Sequence, residues 1–142
     1  MKPNQPSLET NKAIVRRFNE QVIMRGDEQA FSELMAPDFV NRTAAPGMPP
    51  GPDGMAFMFN RVLRPAFPDL DVEIQDQIAE GDRVTTRKII HGTHRGELLG
   101  IPATGRRVAI NVIDIVRIEN GRYAEHWGQN NLSDVLAQLR AP

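Results

Sequence analysis

Residues 108–118 read VAINVIDIVRI, and this segment decides the fold class and singles out one side chain. Its nearly continuous apolar character, bounded by turn residues, predicts a β-strand that is buried on at least one face. We divided the segment by parity, because successive side chains of a strand point to opposite faces. The even-numbered face holds Asp114 among five aliphatic residues, Val108, Ile110, Val112, Val116 and Ile118. Asp114 is therefore the only polar residue on the more apolar face.

A carboxylate in such surroundings loses hydration, so the pKa of Asp114 should rise unless hydrogen bonds or a cation compensate. Enzymes use this effect to make a carboxylic acid useful in proton transfer near neutral pH. We therefore take Asp114 as a candidate catalytic residue. The alternative is a structural aspartate that is hydrogen-bonded to a neighbouring side chain or to a backbone amide.

Residues 122–130 form the next predicted strand, and the turn before them determines which residue faces Asp114. A two-residue Asn120-Gly121 turn pairs Asp114 with Trp127, whereas a three-residue turn with Gly121 left-handed pairs it with His126. The second register creates an Asp–His pair that could shuttle a proton, which makes His126 a second candidate catalytic residue. Otherwise His126 simply packs or forms a hydrogen bond. Trp127 fits a core residue or a pocket wall better than a catalyst.

The rest of the chain predicts helices first and an antiparallel sheet afterwards, which is the α+β class. Helix signals are a cap at Ser7 or Thr10 with a stop at Gly26, a cap at Asp27 with a stop at Pro37, an apolar stripe that ends before Pro65, and a cap at Asn131. Strands are predicted over 69–80, 83–94, 106–118 and 122–130, with a short extended piece at 39–41. We expect a flexible tail at 1–9 and one domain over 10–142.

A sheet covered by helices on one face leaves a space between the two layers, which is a common place for a ligand. Asn41 follows an apolar pair and could donate a hydrogen bond into this space, or it could be an ordinary turn residue. His91 could reach the mouth of the pocket. Met58 and Phe59 fit the core by helical spacing, and they could also form an adaptable apolar wall for a ligand.

Composition excludes several classes of protein. The 142 residues include no cysteine, so disulfides, thiolate zinc sites, iron–sulfur clusters and a cysteine nucleophile are excluded. A formal net charge of −1 gives no long-range attraction to nucleic acid or to anionic membranes. No apolar run is long enough to span a bilayer, and the N-terminus lacks a signal peptide, so we expect a cytoplasmic protein. His91 and His94 point to different faces of one strand, so we expect no metal site.

Seven blocks of sequence, in this order, resemble the SnoaL-like polyketide cyclase family, over roughly residues 10–140. They are PAFPDL (65–70), EGDRV (80–84), GTHRG (92–96), GIPATGR (100–106), DIVRI (114–118), GR (121–122) and EHW (125–127). The resemblance implies the NTF2-like fold, an α+β cone in which N-terminal helices and a curved, mostly antiparallel sheet enclose an apolar cavity, with a C-terminal helix, usually in a dimer. It also implies ring closure by intramolecular aldol condensation, without a metal or an organic cofactor.

The family's paired histidine and aspartate align with Asp114 and Gly128, so this chain has a carboxylate where a histidine would stand and no side chain at the aspartate position. The family also often has Asp-His or Asn-His where this chain has Asn41-Arg42. These departures put Asp114 and His126 forward as replacements. If the resemblance holds, residues 112, 114, 116, 126 and 128 line the cavity.

The first functional hypothesis is therefore a cofactor-independent cyclase or isomerase that acts on an apolar, carbonyl-containing small molecule. Asp114 would abstract a proton and His126 would polarise or reprotonate the substrate. The alternatives are a non-catalytic binder of an apolar small molecule on the same fold and a scaffolding dimer with a collapsed cavity. We also expect a homodimer, because the second face of strand 106–118 still carries Ala109, Ile113 and Ile115.

Overall fold

The computed structural model describes residues 7–142, and it consists of helices packed on one five-stranded sheet. The helices are α1 (Leu8–Arg17), which continues as a π-helical segment (Phe18–Met24), α2 (Glu28–Leu34), α3 (Pro52–Phe57), which continues as a second π-helical segment (Met58–Leu63), α4 (Arg64–Ala66) and α5 (Leu132–Arg140). The strands are β1 (Met35–Asn41), β2 (Asp71–Glu80), β3 (Arg83–Thr93), β4 (Arg107–Glu119) and β5 (Arg122–Asn130). Residues 1–6 of the predicted tail lie outside the described residues, and α1 begins within it, at Leu8.

The strand order in the sheet is β1-β5-β4-β3-β2, with β1 parallel to β5 and the other neighbours antiparallel. The predicted α+β class is confirmed. Strand β4 lies at the centre of the sheet, and its even-numbered face is the buried one, apart from the half-buried Val112. The parity analysis therefore placed Asp114 on the correct side of the correct strand.

The predicted helix starts are confirmed more fully than the predicted stops. Ser7 Oγ accepts a hydrogen bond from the Thr10 amide at 3.0 Å, and Asp27 Oδ1 accepts one from the Ala30 amide at 3.0 Å. Pro37 does not end α2, because the helix has already stopped at Leu34 and Pro37 lies in β1. Pro65 does not end the third helix either. It lies in α4, which continues the π-helical segment without a break and ends one residue later, at Ala66.

Both predicted pairings of Asp114 are wrong, although the turn itself is a two-residue Asn120-Gly121 turn with positive φ at both residues, 53° and 75°. Asp114 pairs with Gly128, and His126 pairs with Val116. The cause is a β-bulge: Glu125 faces Arg117 while Tyr123 faces Ile118, so Ala124 is one extra residue in β5. The bulge shifts the register by one residue and brings positions 126 and 128 onto the face of Asp114.

Phe18 packs between the helices and the sheet. Its side chain is 1% exposed, and its ring stacks on Tyr123 of β5 with the centroids 4.0 Å apart. The same ring meets Phe59 edge-on at 6.1 Å and Phe31 at 6.5 Å. Aromatic pairs at such distances add stabilisation beyond the area that they bury.

Replacing Phe18 by alanine should lower the free energy of unfolding by about 3–5 kcal/mol, because the change leaves a cavity between helix and sheet. Urea denaturation measures this loss. Phe57→Ala is the matched control, since Phe57 is 48% exposed and its truncation should change stability by no more than about 0.5 kcal/mol. Equal losses in the two variants would contradict the assignment of Phe18 to the core.

Candidate active site

A cavity of about 340 Å³ lies between the helices and the sheet. Its walls are mostly apolar, and they include Ile23, Met55, Met58, Phe59, Leu63 and Ile90. Its polar side chains come together from four strands and the loop after β1, and they include Asn41, Thr43, Lys88, Asp114 and His126. An apolar cavity with a few convergent polar groups is the usual form of a small-molecule site.

The sequence-predicted residues divide between this cavity and the rest of the protein. Asp114, His126, Asn41, Met58 and Phe59 line the cavity. His91 does not, and its Nε2 atom lies 2.9 Å from Glu73 Oε1 instead. Trp127 does not line it either, and the Arg83 guanidinium lies over its ring, 5.1 Å from the centroid.

Asp114 is almost fully buried, at 6% exposure. Its Oδ2 atom lies 3.4 Å from Lys88 Nζ and 3.4 Å from His126 Nε2. Its Oδ1 atom is buried and has no hydrogen-bond partner. A buried carboxylate oxygen without a partner is costly, which makes it a notable feature in a residue that lines a cavity.

The strand register explains this arrangement. Lys88 of β3 pairs with Val112 and His126 of β5 pairs with Val116, so each of them flanks Asp114 diagonally across the sheet. Long and aromatic side chains can reach across such a diagonal. The residues directly opposite Asp114 are Thr86 and Gly128. The central strand thus holds the acid, and each of its two neighbouring strands places one side-chain nitrogen beside it.

Lys88 is the first of two functional candidates, with Tyr123, that were not predicted from the sequence. Its side chain is 5% exposed, and its Nζ atom donates a hydrogen bond of 2.6 Å to Asn19 Oδ1. Asn19 is itself held by the π-helical segment after α1, where its Nδ2 atom donates to the Val15 carbonyl at 2.9 Å. The signal was present in the sequence, because Lys88 alternates in β3 with the buried residues Val84, Thr86 and Ile90.

The pKa of Asp114 is lowered on balance. Burial alone raises the pKa of this carboxyl, but the positive charge of Lys88 and the contact with His126 outweigh that effect. The sequence analysis expected a raised pKa unless a cation compensated, and Lys88 is that cation. Asp114 is therefore ionised at neutral pH despite its burial.

The orientation of His126 follows from its partners. Its Nδ1 atom lies 2.9 Å from Asn41 Oδ1, and the same oxygen accepts a hydrogen bond of 3.2 Å from the Thr43 amide. Because that backbone donor fixes the oxygen of Asn41 as the acceptor, His126 Nδ1 must carry a proton. The Nε2 atom then faces the carboxylate of Asp114, and this contact is attractive only if the pair shares one proton.

Tyr123 adds a hydroxyl-bearing side chain to the same cavity. Burial raises the pKa of the Tyr123 phenol well above its usual 10.0, and the negative charge of Asp114 raises it further. The phenol is therefore protonated throughout the physiological pH range and can donate a hydrogen bond.

Within residues 7–142, no group of three or more His, Asp or Glu side chains is placed to hold a metal ion. Over the same range, no helix has the length and apolar character that crossing a membrane requires.

The fold and site together define a small α+β protein whose apolar cavity encloses a carboxylate between a lysine and a histidine. The sequence model of the SnoaL-like polyketide cyclase family matches residues 13–139, and the chain belongs to that family. Its architecture is the NTF2-like α+β fold of its structural neighbours. The predicted family and fold are thus confirmed.

Two related cyclases and one solved structure are similar to this chain. The chain is 29% identical over 111 residues to nogalonic acid methyl ester cyclase of Streptomyces nogalater, covering 78% of this chain and 83% of that one. It is 26% identical over 137 residues to aklanonic acid methyl ester cyclase of Streptomyces peucetius, covering 95% and 94%. The structure of TsrD from Streptomyces laurentii superposes with a TM-score of 0.84 at 28% identity, covering 97% of this chain and 100% of that one.

Replacing Lys88 by methionine should raise the pKa of Asp114, because burial then acts on the carboxyl without its main compensating charge. Removal of one partner from a buried ion pair typically costs about 3–5 kcal/mol, so the free energy of unfolding should fall by about that amount at pH 7. A lowered pKa stabilises the fold above the unfolded value near 3.8, and this stabilisation is lost as the pH falls through the folded pKa. The difference between wild type and variant should therefore narrow from pH 7 to pH 3.

Chemical denaturation at several pH values measures this difference. Lys12→Met is the control, since Lys12 pairs at 3.3 Å with the exposed Glu9 and such pairs contribute about 0–1 kcal/mol. A difference between wild type and Lys88→Met that does not change with pH would contradict the compensation of the buried charge.

Proposed function

We propose that this protein is a cofactor-independent cyclase or isomerase that acts by acid–base catalysis on an apolar, carbonyl-containing, polyketide-like molecule bound in the cavity. The observation that carries the proposal is the unpartnered Oδ1 atom of Asp114, an acceptor at the wall of a mostly apolar cavity. A ligand that brings an acidic C–H or O–H group to this atom would satisfy it.

The proposed reaction is an intramolecular aldol closure. Asp114 removes a proton from the carbon next to a carbonyl, and the resulting enolate carbon attacks a second carbonyl of the same molecule. One carbon–carbon bond forms, and the oxygen that receives the electron pair takes a proton from His126. The proton on Asp114 then passes to His126 Nε2 across the 3.4 Å contact, which restores the starting state of the pair.

The surrounding residues have distinct roles in this mechanism. Lys88 keeps Asp114 ionised in a cavity whose dielectric would otherwise favour the neutral acid. Asn41 holds the His126 ring in the orientation that directs Nε2 at the carboxylate. Tyr123 supplies a protonated hydroxyl that can donate to a substrate oxygen as negative charge develops. General acid–base catalysis of this kind is typically worth about 10²–10⁴ in rate.

The names of the relatives support the substrate class. Two of them are cyclases of nogalonic and aklanonic acid methyl esters. These esters are the first compounds to assay, because a methyl ester contains a carbonyl group and fits an apolar cavity better than an ionised acid does.

A second candidate is a non-catalytic binder of the same class of molecule. The observation that favours it is the lowered pKa of Asp114, because a weaker base removes a carbon-bound proton more slowly. Native mass spectrometry separates the two candidates. Recovery of the unmodified ester after prolonged incubation favours the binder, and recovery of a ring-closed isomer of the same mass with a changed retention time favours the enzyme.

We also propose a homodimer that forms through the sheet face opposite the cavity. Ile113 on that face is 52% exposed, and Asn111 and Ala109 beside it are exposed as well. Light scattering at micromolar concentration should give twice the mass of one chain, 15.9 kDa. A mass of one chain would contradict this assembly.

Replacing Asp114 by asparagine should reduce the turnover rate of whichever methyl ester the wild type converts by about 10²–10⁴, since an amide cannot accept the substrate proton. Asp71→Asn is the matched control, because Asp71 is exposed in β2 and is not a cavity residue. Circular dichroism checks that both variants are folded. Unchanged turnover in a folded Asp114→Asn variant would remove Asp114 from the mechanism.

A further inference from the structure

Gly128 lies directly opposite Asp114 in the pairing of β4 with β5. Side chains at directly opposed positions of an antiparallel pair are nearest neighbours, with Cβ atoms about 4.5–5.5 Å apart. A side chain at position 128 would therefore be the immediate neighbour of the carboxylate. The chain has none there, although glycine in a strand interior normally weakens the strand.

The backbone does not explain this glycine. Gly128 is not among the residues with positive φ, so its conformation is open to any amino acid. Its amide also donates a hydrogen bond of 2.8 Å to Thr43 Oγ1, which any residue other than proline could do. The reason for the glycine must therefore lie in the space above its α-carbon.

The ring of His126 occupies that space. A Cβ atom built on Gly128 would lie 2.8 Å from His126 Cε1 and 3.2 Å from His126 Nε2. The first distance is shorter than real Cβ contacts, whereas the Cβ of Asp114 would be at an ordinary 3.7 Å. The imidazole, and not the aspartate, is what a side chain at this position would displace.

The His126 ring passes above the α-carbon of Gly128 to reach Asp114. His126 is paired with Val116, two residues along β4 from Asp114, so the ring crosses the position of residue 128 on its way to the carboxylate. The ring is also anchored at Nδ1 by Asn41. It cannot move away from a new side chain without losing the contact with Asp114, the contact with Asn41, or both.

We propose that Gly128 is a positioning residue whose missing side chain creates the place in which the His126 ring meets Asp114. A side chain at this position would fill the same space and displace the ring. The acid and the imidazole therefore form a diagonal pair that depends on a glycine. Only the consequence for turnover rests on the proposed function.

The ring-nitrogen NMR signals of His126 test the proposal in the full-length protein. These signals are assigned by their absence in His126→Gln. In wild type they should report a single state, with one proton on Nδ1 and a second proton shared between Nε2 and Asp114. In Gly128→Ala the Nε2 signal should move away from this state as the contact with Asp114 is lost, and turnover of the methyl esters should fall at least tenfold. Gln129→Ala is the control, because Gln129 is exposed, adjacent in β5 and outside the cavity, and it should leave the His126 signals unchanged.

If Gly128→Ala is poorly stable, a double-mutant cycle of Gly128→Ala and His126→Ala, followed by urea unfolding, still tests the proposal. Gly128→Ala should lower the midpoint of urea unfolding in the wild-type background and leave it nearly unchanged in a His126→Ala background, where the ring is gone. Equal shifts in the two backgrounds would overturn the proposal, and so would unmoved His126 signals in Gly128→Ala. Displaced signals with unchanged turnover would support the positioning role and count against the acid–base mechanism.

Discussion

The ion pair between Lys88 and Asp114 is the interaction on which the site depends. Both side chains are almost fully buried, and a buried charge is tolerated only when it is paired and hydrogen-bonded. Asn19 Oδ1 accepts one hydrogen bond from the ammonium group of Lys88, so the helical layer helps to hold the buried charge of the sheet. An ionised acid can therefore persist in an apolar cavity, which is the condition for using it as a base.

The geometry of the sheet places a histidine and an asparagine next to this pair. The bulge at Ala124 places His126 on the cavity face, one diagonal step from the carboxylate, and parallel pairing with β1 places Asn41 beside the imidazole. Five groups are thereby joined from the first helical layer to the edge strand: Asn19, Lys88, Asp114, His126 and Asn41. Each link uses a fixed backbone position, so the arrangement is preorganised before any ligand enters.

Much of this could be predicted from sequence, because periodicity reports which face of a strand is buried. Asp114 was found since one polar residue interrupts an apolar face. Lys88 was missed because lysine is usually exposed, although the same alternation marks it. The partner of Asp114 could not be derived, since the register depends on a bulge at Ala124 that has no distinctive sequence signal. The helix was predicted to end before Pro65, but a proline only disfavours helical angles at the residue before it, and this helical run ends at Ala66.

The central claim is that Lys88 keeps a buried acid ionised on the wall of an apolar cavity. Carbon-13 NMR of the Asp114 side-chain carboxyl, followed through an acid titration of the intact protein, measures this state directly. The account predicts that the midpoint of this titration lies below 3.8, the ordinary pKa of an aspartate. A midpoint above 3.8 would show that desolvation outweighs the lysine, and it would contradict the account.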